Sequence, residues 1–218
     1  MKKKRVIIVL SVVVAVIVIG LCAFLLFGGF NIGGKTFSEI NIDNGLSVSG
    51  LSLYSGEYVE DGSDENVEGI ASVVLSNNGD TDYEYVEFTV KTKYGEYLFK
   101  ASTVFAGSSV KVLCSDRKSL KDGDKMKSAE LTLCTEYLTP PSLHEDLFEY
   151  YPRAKTINIK NVSGKTFSKV ILYYKDTDEN GYFGGITYRI VFNNVANGDI
   201  KQRVSEHFGE VVNLVYEE

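Results

Sequence analysis

Residues 6–30, VIIVLSVVVAVIVIGLCAFLLFGGF, contain no charged side chain and follow four cations in Met1-Lys2-Lys3-Lys4-Arg5. As a helix this run spans roughly 37 Å at 1.5 Å per residue, against about 30 Å of bilayer hydrocarbon. One Asp, Lys or Arg at mid-membrane costs about 3 kcal/mol on an insertion scale, and the run has none. A cleaved signal peptide has a shorter apolar core and a small-residue cleavage site. Here the core is longer, no A-x-A-like site follows it, and Leu21 precedes Cys22 where a lipoprotein has a small residue. The expectation is an uncleaved transmembrane signal-anchor helix over 6–30. Cations before it and none just after it place the tail 1–5 in the cytoplasm and residues 31–218 outside the cell membrane. A five-residue tail holds no kinase or DNA-binding module.

Charge points the same way. The chain has 23 basic and 29 acidic residues; without the four amino-terminal cations, 19 oppose 29, a net of −10 outside. That balance opposes nucleic acid and anionic headgroups as partners. It leaves the membrane, through the anchor, and other membrane or envelope proteins as the expected partners.

The exterior reads as strands. In YEYVEFTVKT, Val86, Phe88 and Val90 share one face and Tyr85, Glu87, Thr89 and Lys91 the other. In FSKVILYYK, Val170, Leu172 and Tyr174 share one face and Lys169, Ile171, Tyr173 and Lys175 the other. This is period two, with one face buried and one wet. A shift of 84 residues superimposes the two strands and also the strand before each, with Asn77 falling on Asn161. A one-residue slip turns a strand inside out, so the kept phase carries information. Gly turns and closing strands follow in both units: SVKVLC and KSAELTLCTEY, then IKQRV and EVVNLVY. Short strands at this spacing favour sandwiches over βαβ units.

The predicted fold is all-β: an amino-terminal transmembrane helix, then two tandem Ig-like β-sandwich domains. The expected boundaries are a tether at 31–42, a first domain at 43–138, a linker at 139–153 and a second domain at 154–218. The acidic loop EDGSDENVE at 60–68 reads as solvent-facing. In the linker, Ser142-x-x-Glu145 fits a capping box and predicts a short helix near 143–150. Pro140, Pro141 and Pro152 break extended pairing there. NIGGKTFSEI at 31–40 echoes NVSGKTFSKV at 161–170.

Asn161, then Val170-Ile171-Leu172-Tyr173-Tyr174-Lys175-Asp176, Asn180-Gly181 and the later Asn197-Gly198-Asp199 turn form a pattern. It resembles FxLYD-type extracytoplasmic β-sandwich domains of bacterial envelope proteins, over residues 154–218 and more faintly over 68–115. The extra Tyr and Lys before Asp176 depart from the family motif. The resemblance implies an Ig-like sandwich on an envelope protein and brings no catalytic residues with it.

Candidate chemistry is sparse. Asp176-x-Asp178-x-Asn180-Gly181 matches the opening of a calcium loop, but the twelfth position is Thr187 and strands flank it. A hairpin turn rich in Asp, Asn and Gly accounts for it equally. Bridging Cys114 to Cys134 would close a loop of about 20 residues, worth roughly 3 kcal/mol. Cys114 shares a face with Val110 and Val112, while Cys134 lies opposite Leu131 and Leu133, so without a bulge the thiols point to different sides. His144 and His207 fall in separate units, and no nucleophile–base–orienter set assembles. The Gly-Gly pair at 184–185 reads as a turn. No catalytic residue, cofactor or resident metal is expected. Outward Tyr83, Tyr85, Ile171 and Tyr173 are a candidate interaction face.

Two functions compete. One is a non-enzymatic binding or assembly module, its ligand unspecified. The other is a hydrolase or carbohydrate-acting enzyme with loop carboxylates, Asp64 or Glu65 with Asp176. A deep pocket holding two carboxyls about 5–10 Å apart distinguishes the second.

Overall fold

The structure is a computed structural model that describes residues 39–153, 156–204, 207 and 209–218. The anchor expected over 6–30, and the tether up to residue 38, lie outside the described residues. Among the described residues there is no helix long and apolar enough to cross a membrane.

The described residues form thirteen strands and no helix. The first half contributes β1 (Ile40–Asn41), β2 (Leu46–Glu57), β3 (Asn66–Asn77), β4 (Tyr83–Lys91), β5 (Glu96–Val104), β6 (Ser109–Leu113) and β7 (Ser128–Glu136). The second contributes β8 (Phe148–Arg153), β9 (Thr156–Asn161), β10 (Phe167–Asp178), β11 (Gly181–Val195), β12 (Ile200–Val204) and β13 (Glu210–Glu217).

Strand pairing repeats. In the first half β2-β3-β6 faces β5-β4-β7; in the second β8-β9-β12 faces β11-β10-β13. Each pair of sheets encloses its own core. Val73, Leu75, Val86, Phe88 and Val90 are buried in the first. Their counterparts 84 positions on, Ile157, Ile159, Val170, Leu172 and Tyr174, are buried in the second. Each such side chain contributes about 1.5–3 kcal/mol on burial. Phe88 stacks on Phe99 at 5.4 Å between centroids.

A polar pin also repeats. Asn77 Nδ2 donates to the Thr81 and Val104 carbonyls at 2.8 and 3.2 Å, and its Oδ1 accepts from Gly79 N. Asn161 Nδ2 donates to the Lys165 and Val195 carbonyls at 2.8 and 2.9 Å, and its Oδ1 accepts from Ser163 N. Both side chains are buried. A buried amide must be paired, and these two pair by tying turn to strand in the same way.

The halves share one sheet. Tyr182 and Phe183 at the start of β11 pair in parallel with Val110 and Lys111 of β6. This short ladder fuses β1-β2-β3-β6 to β11-β10-β13 as seven continuous strands.

The linker helix is not formed. Ser142 Oγ accepts from His144 N, two residues on, and not from Glu145. His144 has a φ of 47°, which a right-handed helix does not accept. Leu147 N and Phe148 N both close on the His144 carbonyl, making one turn. β8 then starts, with Phe148 buried in the second core. Pro152 is accommodated because β8 is an edge strand, where a missing N–H leaves no ladder gap.

Candidate functional site

The densest polar chemistry lies where the two halves meet. Between the pairs Tyr174↔Tyr188 and Asp176↔Phe183 the β10–β11 ladder skips Lys175 on one side and residues 184–187 on the other. The bulge turns Lys175 inward beside Tyr174, so both are buried. Simple alternation places Lys175 on the wet face; the bulge corrects that expectation.

Lys175 Nζ donates to the carbonyls of Ser102 (2.9 Å), Ile186 (3.2 Å) and Gly185 (3.4 Å). Glu60 enters from the other half. Its Oε1 accepts from Leu113 N and its Oε2 from Gly185 N, both at 2.7 Å. The Gly185 peptide thus joins the two charges, one on its N–H and one on its carbonyl. Burial drives Glu60 up to about 7, against the pull of the two amides and Lys175. Burial lowers Lys175 to about 8, against the pull of Glu60. The loop at 60–68 is therefore not simply solvent-facing. Glu60 leaves it inward, while Arg117 ties down its rim through Asp61 (2.5 Å) and Glu65 (2.6 Å).

Gly184 and Gly185 are strand residues of β11, not a turn. A Cβ on Gly185 would lie 1.9 Å from the Lys100 carbonyl oxygen, so only glycine lets β11 cross β5 here. Ser102 Oγ bonds the Gly185 carbonyl and Thr187 Oγ1 across the same contact.

A second cluster flanks this one. His207 Nε2 sits 2.8 Å from Asp64 Oδ1, and Nδ1 sits 3.4 Å from Asp176 Oδ2. The ring stacks on Tyr188 at 4.7 Å and 6°. Burial pulls the imidazole down, but the Asp64 and Asp176 carboxylates outweigh it, and its proton affinity rises. A group raised on folding adds stability that is full below its unfolded pKa and fades as pH rises through the folded one. Glu60, also raised, has the same sign over about 4.5 to 7. The melting temperature of the wild-type chain should therefore fall as pH rises from 5 to 7.5, and His207→Gln should flatten that slope. An unchanged slope would show that the two carboxylates do not hold the imidazolium.

The candidate calcium loop is a hairpin turn. Asp178 Oδ1 accepts from Asn180 N at 2.7 Å, and Asp176 turns Oδ1 to Thr177 N and Oδ2 to His207. Among the described residues no three His, Cys, Asp or Glu side chains converge to hold a metal. Asp64 and Asp176, the candidate carboxylates, do meet, but on opposite nitrogens of one ring; Glu65 goes to Arg117. An open cleft of about 270 Å³ lies nearby, lined by Ser108, Ser109, Thr177, Asn180, Tyr182 and a single carboxylate, Glu210.

Cys114 and Cys134 are free thiols. Thr132 is skipped in the β4–β7 ladder, and this bulge turns Cys134 toward the first core while Leu133 is 50% exposed. Both thiols thus address the same core, contrary to simple alternation. Cys114 Sγ bonds Asp116 Oδ1, and burial pushes its thiol up to about 12.

The proposed interaction face loses one member. Tyr83 is buried, with its hydroxyl on the Asn44 carbonyl at 2.8 Å. A break at Glu84, where Tyr83 and Tyr85 face consecutive residues of β7, turns it inward. Tyr85 stays half-buried on β4, and Ile171 and Tyr173 on β10, in a different sheet. His144 packs edge-on against Tyr216 in the second half, apart from the joint.

Comparison with protein-family models, with curated proteins and with solved structures gives no match for this chain.

Proposed function

We propose that the chain is a single-pass, membrane-anchored extracytoplasmic protein of a bacterial cell envelope, acting as a non-enzymatic binding or assembly module. Its exterior is read as two Ig-like units, consistent with the repeated pairing of β2-β3-β6 on β5-β4-β7 and β8-β9-β12 on β11-β10-β13. The uncharged run at 6–30 behind four cations supports the anchor and its orientation.

One observation carries the non-enzymatic reading. The acid–base groups Glu60, Lys175 and His207 at the joint are already engaged inside the protein. Both oxygens of Glu60 face amides, Lys175 faces three carbonyls, and both nitrogens of His207 face carboxylates. A general base needs a free lone pair within reach of substrate, and a nucleophile needs such a base. The arrangement suits a structural clasp. The hydrolase reading draws on the meeting of Asp64 and Asp176, but their placement across one ring leaves no gap for substrate between them.

Protease added outside intact cells tests the placement. The expected result is loss of the β units with a short membrane-bound amino-terminal fragment left behind. Mature protein free in the culture fluid and lacking its first thirty residues contradicts it.

A further inference from the structure

β12 is built inside out. Lys201 and Arg203 lie opposite Ile159 and Ile157 of β9, so they share the core-facing side. There Lys201 pairs with Asp199 at 3.1 Å, and Arg203 lies over Phe192. Ile200 and Val204 consequently face out, 65% and 71% exposed. The strand in the same place in the first half, β6, has the ordinary phase, with Val110 and Val112 inside. The outer edge of β6 is joined by β11, whereas among the described residues nothing pairs with the outer edge of β12. An open strand edge carrying outward aliphatic side chains is a template for another strand.

The main chain of β12 decides what can add there. Asn161 N donates to the Asp199 carbonyl, so by alternation Lys201 and Arg203 spend their N–H and C=O groups on Ile159 and Ile157. Ile200, Gln202 and Val204 point theirs to the open side. We infer that this edge is a self-association surface: β12 of one copy pairs antiparallel with β12 of a second copy about a two-fold axis at Gln202. Gln202 then meets Gln202, and Ile200 meets Val204 of the second copy. All three positions bring free main-chain groups, so each of these pairs can exchange two bonds. The axis stands perpendicular to the sheet, so residues that meet also share a face.

Side chains agree with this register. On the outer face Ile200 and Val204 of each copy cover those of the other. On the core side Lys201 comes opposite Arg203 of the second copy, which opposes association. Asp199 counters it: it already holds Lys201, and it lies diagonal to that same Arg203 on the same face. Moving the register by two residues sets Lys201 on Lys201 or Arg203 on Arg203, and parts Ile200 from Val204. Other edges suit β12 less well. β8 carries Pro152, which lacks a donor. Leu214 N of β13 is taken by the Ser142 carbonyl. Thr135 and Leu133 of β7 bond to β4, so its free groups belong to Cys134 and Glu136, which face the core while Gln202 and Val204 face out.

The contact is isologous and closes as a dimer. A five-residue strand makes a small interface, so association depends on crowding copies together, as on one membrane. The inference deepens the assembly reading by naming a second copy as partner. It rests on that reading for the crowding alone.

The test oxidises full-length cysteine variants with copper phenanthroline in phosphatidylcholine vesicles. Flotation reports anchoring. Disulfide-linked peptides, identified by mass spectrometry, report the edge; a chain that does not float is concentrated in solution and oxidised there. Gln202→Cys should link to itself, because bonded partners have Cα atoms about 5.5 Å apart, within disulfide reach. Ile200→Cys and Val204→Cys should link at least tenfold more when mixed than when either is oxidised alone. Gln202→Pro removes only an N–H that points to the open side, so it should cut the mixed link about tenfold and leave the melting temperature of the chain nearly unchanged. No self-link at Gln202→Cys, equal linking of the single and mixed variants, or a mixed link that survives Gln202→Pro would overturn the inference.

Discussion

Gly185→Ala is expected to lower the melting temperature of the chain by roughly 6–12 °C. The added methyl meets the Lys100 carbonyl oxygen at 1.9 Å and Glu60 Oε2 at 2.9 Å. The first is backbone held in β5, so β11 must move away. Overpacking of this kind costs about 3 kcal/mol, and a body of this size loses about 2–4 °C per kcal/mol. The displacement also separates the Gly185 peptide from both Glu60 and Lys175. Gly198→Ala is the matched control. It has a positive φ of 82° but nothing within 4 Å of the new methyl, so it should cost only about 1 kcal/mol. A melting curve for Gly185→Ala no lower than that of Gly198→Ala would mean that the crossing of β11 over β5 is not tight. Thermal unfolding monitored by circular dichroism reads both.

Lys175→Ala should be at least as damaging, at about 3–5 kcal/mol. It leaves the carbonyls of Ser102, Gly185 and Ile186 short of a donor and takes away the cation that offsets the enclosed Glu60. Removing one partner of a buried charged pair strands the other. Removing both charges together relieves that, so Lys175→Met with Glu60→Gln should cost less than the sum of the single changes. Denaturant titrations of the four proteins form the cycle. Strict additivity would show that the two groups do not act through the shared peptide.

Most of the fold is legible in the sequence because a sheet with one buried face writes its period there. The alternation in β4 and β10, and the offset of 84 that overlays them, appear in the structure as equivalent buried positions down to Asn77 and Asn161. Three residues break the alternation, and each sits at an irregularity: Tyr83 beside Glu84, Cys134 after Thr132, and Lys175 opposite residues 184–187. A bulge adds residues to one strand and reverses the facing of the residues beyond it, and nothing in the hydrophobic pattern marks where it falls. The linker helix fails for a related reason. A capping box is a local signal, and Phe148 gains more in the second core than in a short solvated helix. The joint is the least readable part, since Glu60 and Gly185 are 125 positions apart and no local pattern links them. The one hint of it is the Gly184-Gly185 pair, with no turn-forming residue on either side.

Through these contacts the two similar units are expected to unfold as one cooperative body. Differential scanning calorimetry of the full chain in detergent micelles tests that claim most directly. A welded body gives a single endotherm whose calorimetric and van't Hoff enthalpies agree. Two separable endotherms in the wild-type chain, each of about half the total enthalpy, would contradict it.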